Sequence, residues 1–290
     1  MSTIELAFEY QDRQNNRDTG LEKYIDDLTK RLPAVRDAIE RYVNSGFETK
    51  TVACETQAYP YKHNLSESYH AKPKYSATGK IKGRQREKMI ARALCLLSKS
   101  GKRLPLDTEL SFGHDLIIES DLGKFIDYEV PLFRKGNRKI DLISVKNNSL
   151  YIIELKRHKS NETLVRCLME AFSYYLFDKL ANRESLRDKD RFKGHLTEAF
   201  GLNDSSTTVV CPLIFKGSRA WNDLKAIKDG EPLGIRILQL VQEMKRIAGT
   251  PNFGVSCAVI DPYDTRIRRM EEWPCDSDGR KFAADDWLEL

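Results

Sequence analysis

The segment Lys139–Lys156 constrains the fold of this chain more strongly than any other part, because its residue pattern predicts a β-hairpin. Two runs of β-branched and aliphatic residues flank the pair Asn147-Asn148. Asparagine tolerates a positive φ angle better than most residues, so this pair suits a tight two-residue turn. The segment therefore predicts two paired antiparallel strands.

A turn at these asparagines fixes which residues of the two strands face each other. Counting outward from the turn, Asp141 faces Glu154. Facing residues in an antiparallel pair point to the same side of the sheet, about 4.5–5.5 Å apart at Cβ. Lys156 lies two residues beyond Glu154 and so projects from the same face. We therefore expect two carboxylates and one ammonium group to meet at one end of a sheet.

The middle of both strands is apolar on both faces, which is typical of strands covered from two sides. The residues concerned are Ile143, Val145 and Ile152 on one face, and Leu142, Tyr151 and Ile153 on the other. Facing acids beside a buried sheet require a compensating cation. Mg²⁺ held by one or two carboxylates plus substrate phosphate oxygens is the natural candidate. The alternative is a structural ion pair in which Lys156 neutralises one acid.

The composition is that of a soluble globular protein, with 40% hydrophobic and 31% charged residues. A length of 290 residues allows one large domain or two small ones. The net charge of +5 is compatible with an anionic partner but does not require one. No apolar run approaches the ~18 residues of a membrane span, and the N-terminus lacks a secretory signal. We therefore expect a cytoplasmic protein with no membrane partner.

The cysteines and histidines show no spacing typical of metal ligands. The six cysteines, none of them in a CxxC pair, are Cys54, Cys95, Cys167, Cys211, Cys257 and Cys275. This scatter predicts buried free thiols in a reducing compartment and argues against a zinc or iron–sulfur site.

Further elements are predicted on both sides of the hairpin. Residues 1–75 predict a helical N-terminal extension, in which residues 21–43 form two helical pieces broken near Pro33. Residues 76–290 are assigned to the main domain. There the patterns predict helices over 84–99, 162–180 and 233–247, strands over 125–133, 207–215 and 252–260, and a surface excursion over 181–206. Helix 84–99 carries an apolar stripe of Ile90, Ala93, Leu94 and Leu97.

A basic cluster surrounds the start of that helix. From Lys72 to Arg103 there are eleven Lys or Arg residues against the single acid Glu87. Such a cluster is typical of nucleic-acid binding, which depends largely on phosphate neutralisation. The candidate contacts are Lys80, Lys82, Arg84 and Arg86. The alternative is an ordinary solvated helix face.

The order helix, strand, strand, strand, helix, strand resembles the core of the PD-(D/E)XK nuclease superfamily, the restriction-endonuclease-like fold. The signature is Asp141 followed after twelve residues by Glu154-Leu155-Lys156, and the resemblance covers about residues 83–216. It implies metal-dependent phosphodiester hydrolysis. Asp141 and Glu154 would hold Mg²⁺ with the main-chain carbonyl of Leu155, and Mn²⁺ is expected to substitute. Lys156 would orient the attacking water and stabilise developing charge.

The resemblance also implies a third acid, and the sequence offers two candidates. One is Glu87 on the helix before the hairpin, and the other is Glu129 on strand 125–133. A five-residue loop over 134–138 would place Pro131 opposite Asp141, with Glu129 nearby. A loop longer or shorter by one or two residues would shift that register, and the pattern does not fix which face Glu129 takes.

The following helix is loosely similar to the RecB-type branch of the superfamily. That branch carries Gln-x3-Tyr, and this chain has Glu170-x3-Tyr174, four residues apart and hence neighbours on one helix face. The resemblance gives these two residues a supporting role at the site.

Taken together, these patterns predict an α/β protein with a restriction-endonuclease-like core, a mixed central sheet flanked by helices, and an N-terminal helical extension. The expected function is Mg²⁺-dependent cleavage of DNA. An RNA-cleaving nuclease and a non-catalytic nucleic-acid-binding or assembly module on the same fold remain alternatives. A homodimer also stays open, because cutting both strands at one place needs two sites.

Overall fold

The computed structural model describes residues 21–46, 116–131, 139–158, 160–184 and 205–261, together with Leu202 and single positions between Glu87 and Asp107. The predicted basic contacts Lys80, Lys82, Arg84 and Arg86 lie outside these residues.

The predicted hairpin is present. Strand β3 (Lys139–Lys146) is joined to β4 (Ser149–Leu155) by Asn147 and Asn148, whose φ angles are 49° and 59°. Two consecutive positive φ angles are typical of a type I′ turn, whose twist matches that of the strands it joins. The pairs Ile143↔Ile152 and Lys146↔Ser149 confirm the predicted register.

The hairpin lies within a mixed six-stranded sheet, whose remaining strands are β1 (Ile117–Glu119), β2 (Lys124–Pro131), β5 (Thr207–Phe215) and β6 (Phe253–Ile260). The strand order in the sheet is β1-β6-β5-β4-β3-β2. Strands β1, β6, β5 and β4 run parallel, and β3 and β2 continue the sheet in antiparallel fashion. Strand β4 is therefore interior, with β5 on one side and β3 on the other.

Helices cover both faces of the sheet. One face carries α1 (Leu21–Gly46), α2 (Leu164–Glu184), α3 (Arg219–Lys228) and α4 (Pro232–Ala248). On the other face, the described residues between 87 and 98 are helical, and Ile90, Leu94 and Leu97 pack there in a second core. The α/β architecture with a flanked mixed sheet is thus confirmed. Among the described helices, none has the length and apolar character needed to cross a membrane.

The predicted break at Pro33 is wrong, because α1 continues through it. A proline inside a helix costs about 3 kcal/mol. Burying one Leu or Ile side chain contributes roughly 1.5–3 kcal/mol. The buried residues Leu28, Leu32 and Ile39 lie on both sides of the proline and pack in the same core as β3 and β4. This burial offsets the cost, and it joins α1 to the core of the sheet.

The predicted register of β2 against β3 is wrong by two residues. Pro131 pairs with Lys139 rather than with Asp141, because the connection spans residues 132–138 and is two residues longer than assumed. Pairs Tyr128↔Leu142 and Val130↔Ile140 leave the backbone of Glu129 level with Asp141.

Two elements were not predicted. Strand β1 has only three residues, and α3 begins after Ser218, whose hydroxyl accepts a hydrogen bond from the Trp221 N–H (3.2 Å). Leu202 is buried although it falls in the expected surface excursion. The prediction of buried free thiols is confirmed for Cys95, Cys167, Cys211 and Cys257, whereas Cys54 and Cys275 lie outside the described residues.

Candidate functional site

The two predicted acids meet at the end of the hairpin away from its turn. The β3–β4 ladder extends to the pair Leu142↔Ile153, and the next step of the same register sets Asp141 against Glu154. Asp141 is half-buried, and its Oδ2 accepts a hydrogen bond from the Leu155 N–H (2.9 Å). Glu154 is 3% exposed. One carboxylate is thus oriented by the backbone of the opposite strand, and the other is enclosed.

Lys156 follows the last residue of β4, and both its backbone N–H and its ammonium group are engaged. Its N–H donates to the Leu213 carbonyl of β5 (3.0 Å), and the residue is 6% exposed. Its Nζ lies 2.5 Å from Glu154 Oε1 and 2.7 Å from Glu170 Oε2. A third carboxylate oxygen, Oε2 of Glu162, lies 2.9 Å away. One buried ammonium group therefore contacts three carboxylates.

Helix α2 brings a second cation to this cluster. Arg166 Nε lies 3.3 Å from Glu170 Oε1 and 3.7 Å from Glu162 Oε2. The first N–H of the helix, that of Leu164, donates to Asp223 Oδ2 of α3 (2.8 Å), which fixes where α2 begins. The position of these carboxylates is therefore set by contacts between two helices.

Of the two candidate third acids, Glu87 lies at this cluster. Its Oε1 accepts a hydrogen bond from the Arg157 N–H (3.4 Å). Burial raises the pKa of Glu87, while the charge of Lys156 acts in the opposite direction. Glu129 has its backbone level with Asp141, but its side chain lies outside the described part of the chain.

Burial and mutual repulsion disfavour the charge on both hairpin acids. Desolvation raises the pKa of Asp141 to about 7, against the opposing effects of Lys156 and of the Leu155 N–H. Desolvation also raises the pKa of Glu154 well above its usual range, and the neighbouring Asp141 raises it further. Both acids are thus poised to hold a proton or a cation rather than to stand ionised alone.

Glu170 and Lys156 behave in the opposite way. Burial alone would raise the pKa of Glu170, but Lys156 and hydrogen bonds with Glu154 and Lys156 hold it at about 2. Burial alone would lower the pKa of Lys156, but Glu154 and Glu170 raise it well above its usual range. Lys156 is therefore an ammonium and Glu170 a carboxylate throughout the neutral range.

Tyr174 lies one turn after Glu170 and is likewise buried. Desolvation raises the pKa of Tyr174, and the charges of Glu154 and Glu170 raise it further, so the phenol stays neutral beside the acids. The structure thus brings both residues of the Glu-x3-Tyr pair to the cluster.

Whether these residues suit a divalent cation depends on their oxygens. Glu154 Oε2 is buried and accepts no hydrogen bond from a described donor, and a bond to Glu170 forms only when one of the two carboxyls is protonated. Within the described ranges, no three His, Cys, Asp or Glu side chains are gathered closely enough to hold a metal ion. Mg²⁺ is usually held by one or two carboxylates, with water and phosphate completing its shell. Asp141, Glu154 and the Leu155 carbonyl fit that smaller requirement.

Sequence reasoning missed two residues of the cluster, Glu162 and Arg166. The signal was a spacing of four, since Glu162, Arg166 and Glu170 recur at that interval, which places them on one side of a helical stretch. What the spacing could not show is that this side is turned toward Lys156.

No protein-family model, no curated protein and no solved structure matches this chain.

Proposed function

We propose that this protein is a metal-dependent nuclease that hydrolyses phosphodiester bonds in DNA, built on a restriction-endonuclease-like core of the PD-(D/E)XK type. The observation that carries the proposal is the meeting of Asp141 and Glu154 beside Lys156 at one end of the hairpin. Both acids have a raised pKa, and perturbed acids that converge in one place are characteristic of functional sites.

The order of elements supports the same proposal. The described helical residues between 87 and 98, strands β2, β3 and β4, helix α2 and strand β5 occur in this order along the chain, with the short strand β1 inserted before β2. Apart from β1, this is the order of the core that the motif resembles. The helical segment and α2 cover opposite faces of the sheet, and each delivers an acid to the hairpin end, Glu87 and Glu170 respectively.

In this proposal Asp141, Glu154 and the Leu155 carbonyl hold Mg²⁺, or Mn²⁺ in its place. When bound, the ion polarises the phosphoryl group and lowers the pKa of its bound water. Asp141 is presented in a fixed orientation because the Leu155 N–H binds its Oδ2. Glu154 presents its unpartnered Oε2.

Lys156 acts through its charge and not as a base. Its pKa is raised by Glu154 and Glu170, so it carries its proton throughout the neutral range. A fixed ammonium beside the reacting phosphate stabilises the negative charge that develops in the transition state.

A cleavage assay tests the proposal. Plasmid, linear duplex, single-stranded DNA and RNA are each incubated with the protein in Mg²⁺ or in EDTA. We expect Mg²⁺-dependent cleavage of DNA, reduced about 10³-fold or more by Asp141→Asn or Lys156→Met. Asp121→Asn is the matched control, since Asp121 is exposed beside Lys146 at the other end of the hairpin. Full activity in both site variants, purified and folded, would refute the assignment, and cleavage of RNA alone would change the substrate class.

A second candidate is a non-catalytic nucleic-acid-binding or assembly module on the same fold. It is favoured by the engagement of Lys156 with three carboxylates, which resembles a structural ion-pair network. In that case the same assay shows nucleic-acid binding without cleavage in either Mg²⁺ or Mn²⁺.

A further inference from the structure

Lys156 has more partners than its charge requires. One carboxylate neutralises one ammonium group, yet the Nζ of Lys156 lies within 2.9 Å of Glu154, Glu162 and Glu170. Burying extra carboxylates is costly unless each is paired. The proposed hydrolysis gives no role to Glu162, so that reaction does not account for the contact between Glu162 and Lys156.

The three carboxylates hold Lys156 from two directions. Glu154 belongs to β4, the strand that Lys156 itself extends. Glu162 lies two residues before α2, and Glu170 lies within that helix. The start of the helix is tied to α3 through the Leu164 N–H and the Asp223 carboxylate (2.8 Å). Two of the three partners therefore belong to α2 and the residues just before it, and not to the hairpin.

This division matters once Glu154 is engaged by a divalent cation. The cation competes with Lys156 for the charge of Glu154, and two positive charges at short distance repel each other. If Glu154 were its only partner, the Lys156 ammonium group would then be displaced from the site. Two carboxylates that do not bind the cation would keep the ammonium group in place.

We propose that Glu162 and Glu170 are positioning residues that retain the Lys156 ammonium beside Asp141 when a divalent cation takes Glu154. The inference rests on the proposed function, because it assumes that Glu154 is a ligand. Arg166 completes the arrangement, since its Nε lies 3.3 Å from Glu170 and 3.7 Å from Glu162 and holds the two carboxylates side by side.

The first test is kinetic and compares each glutamine substitution in the wild-type protein with the same substitution in a Lys156→Met background. Glu162→Gln and Glu170→Gln are expected to lower kcat about 10- to 100-fold. KM for duplex DNA and the Kd for Mn²⁺ should stay within about threefold, because neither residue is a ligand. In a Lys156→Met background the same substitutions should cause no further loss, since residues that act through one group are not additive. Glu243→Gln, which breaks an ion pair with Arg246 on α4, is the matched control.

Three kinetic results would overturn the inference. They are wild-type kcat in both glutamine variants, an equal loss in the wild-type and Lys156→Met backgrounds, and a fall in Mn²⁺ affinity as large as the fall in kcat. The last result would make Glu162 or Glu170 a ligand.

The second test does not depend on activity. The ¹⁵N-labelled ammonium of a buried, ion-paired lysine exchanges its protons slowly enough to be seen by NMR. We expect the Lys156 signal, assigned by its loss in Lys156→Met, to persist in the wild type with and without Mg²⁺. The Glu162→Gln/Glu170→Gln double variant should keep the signal without Mg²⁺ and lose it when Mg²⁺ is added.

The two proposals fail in different ways in this experiment. If the double variant retains the Lys156 signal in saturating Mg²⁺, the positioning role is wrong while metal binding stands. If Mg²⁺ perturbs no lysine or backbone signal of the wild type, the metal site is wrong, and the positioning role falls with it.

Discussion

The two ends of the β3–β4 hairpin carry similar side chains in very different electrostatic settings. At the turn end, Lys146 Nζ lies 3.1 Å from Glu119 Oε2, and the Tyr151 hydroxyl donates to Glu119 Oε1 (3.0 Å). Both oxygens of that carboxylate thus have a donor. At the far end, Lys156 contacts Glu154 Oε1, whereas Glu154 Oε2 accepts no hydrogen bond from a described donor.

The two ends therefore differ in how fully their carboxylates are satisfied by hydrogen-bond donors. A carboxylate with a donor on each of its two oxygens is a satisfied structural contact. At the far end, the pKa values of the enclosed Glu154 and of the facing Asp141 remain raised although Lys156 contacts Glu154. Acids in this setting favour a proton or an additional cation over ionisation, and this distinguishes the far end from the turn end.

The largest expected effect on stability comes from removing Lys156, and the matching substitution at the turn end is that of Lys146. Lys156→Met leaves buried carboxylates unpaired and should lower the free energy of unfolding by about 3 kcal/mol. Lys146 is nearly a quarter exposed, so Lys146→Met should cost about 1 kcal/mol or less. Urea denaturation at pH 7.5 in EDTA measures both. Equal costs would remove the distinction between the two ends.

A smaller effect, of opposite sign, is expected from Asp141→Asn without divalent ions. The pKa of Asp141 is raised to about 7 from 3.8, so the native state holds this proton more tightly than the unfolded state. The resulting stability is complete below about pH 4 and is lost as the pH rises to 7. Asparagine cannot ionise and keeps an oxygen for the Leu155 N–H. The variant should therefore match the wild type near pH 4 and be about 1–2 kcal/mol more stable at pH 8, after allowance for solvent screening.

Thermal or urea melts across that pH range provide the measurement, with Asp121→Asn as the control at the exposed end. A stability difference that is the same at pH 4 and pH 8 would show that Asp141 does not titrate as described.

The smallest effect is expected at the turn. Asn147 is exposed and has a φ of 49°, which glycine adopts without strain. Asn147→Gly should change the free energy of unfolding by no more than about 0.5 kcal/mol, and Asn147→Val should cost more, because a β-branched residue rarely adopts this conformation. Comparison of their urea midpoints tests the assignment, and a valine variant as stable as glycine would contradict it.

The hairpin could be predicted from sequence because its information is local. The Asn-Asn turn and the alternation along two strands fix the register without reference to the rest of the chain. Asp141, Glu154 and Lys156 could therefore be placed together, and Glu87 could be proposed from its place on the helix before them.

What the sequence could not show depends on tertiary contacts. Pro33 breaks an isolated helix but not one whose flanking leucines are buried. The length of the β2–β3 connection has no strong local signal, so the facing partner of Pro131 was wrong. Glu162 and Arg166 gain their position only when the start of α2 is fixed by Asp223, which lies 59 residues beyond Leu164.

The most direct measurement is calorimetric titration of Mn²⁺ into the wild-type protein and the Asp141→Asn variant at pH 7, in two buffers of different ionisation enthalpy. We predict that the wild type binds Mn²⁺ with release of protons, because the pKa values of both hairpin acids are raised and the ligands must be ionised. Asp141→Asn should bind at least about tenfold more weakly and release fewer protons. Binding of equal strength in the two proteins, or no binding to the wild type, would contradict the account.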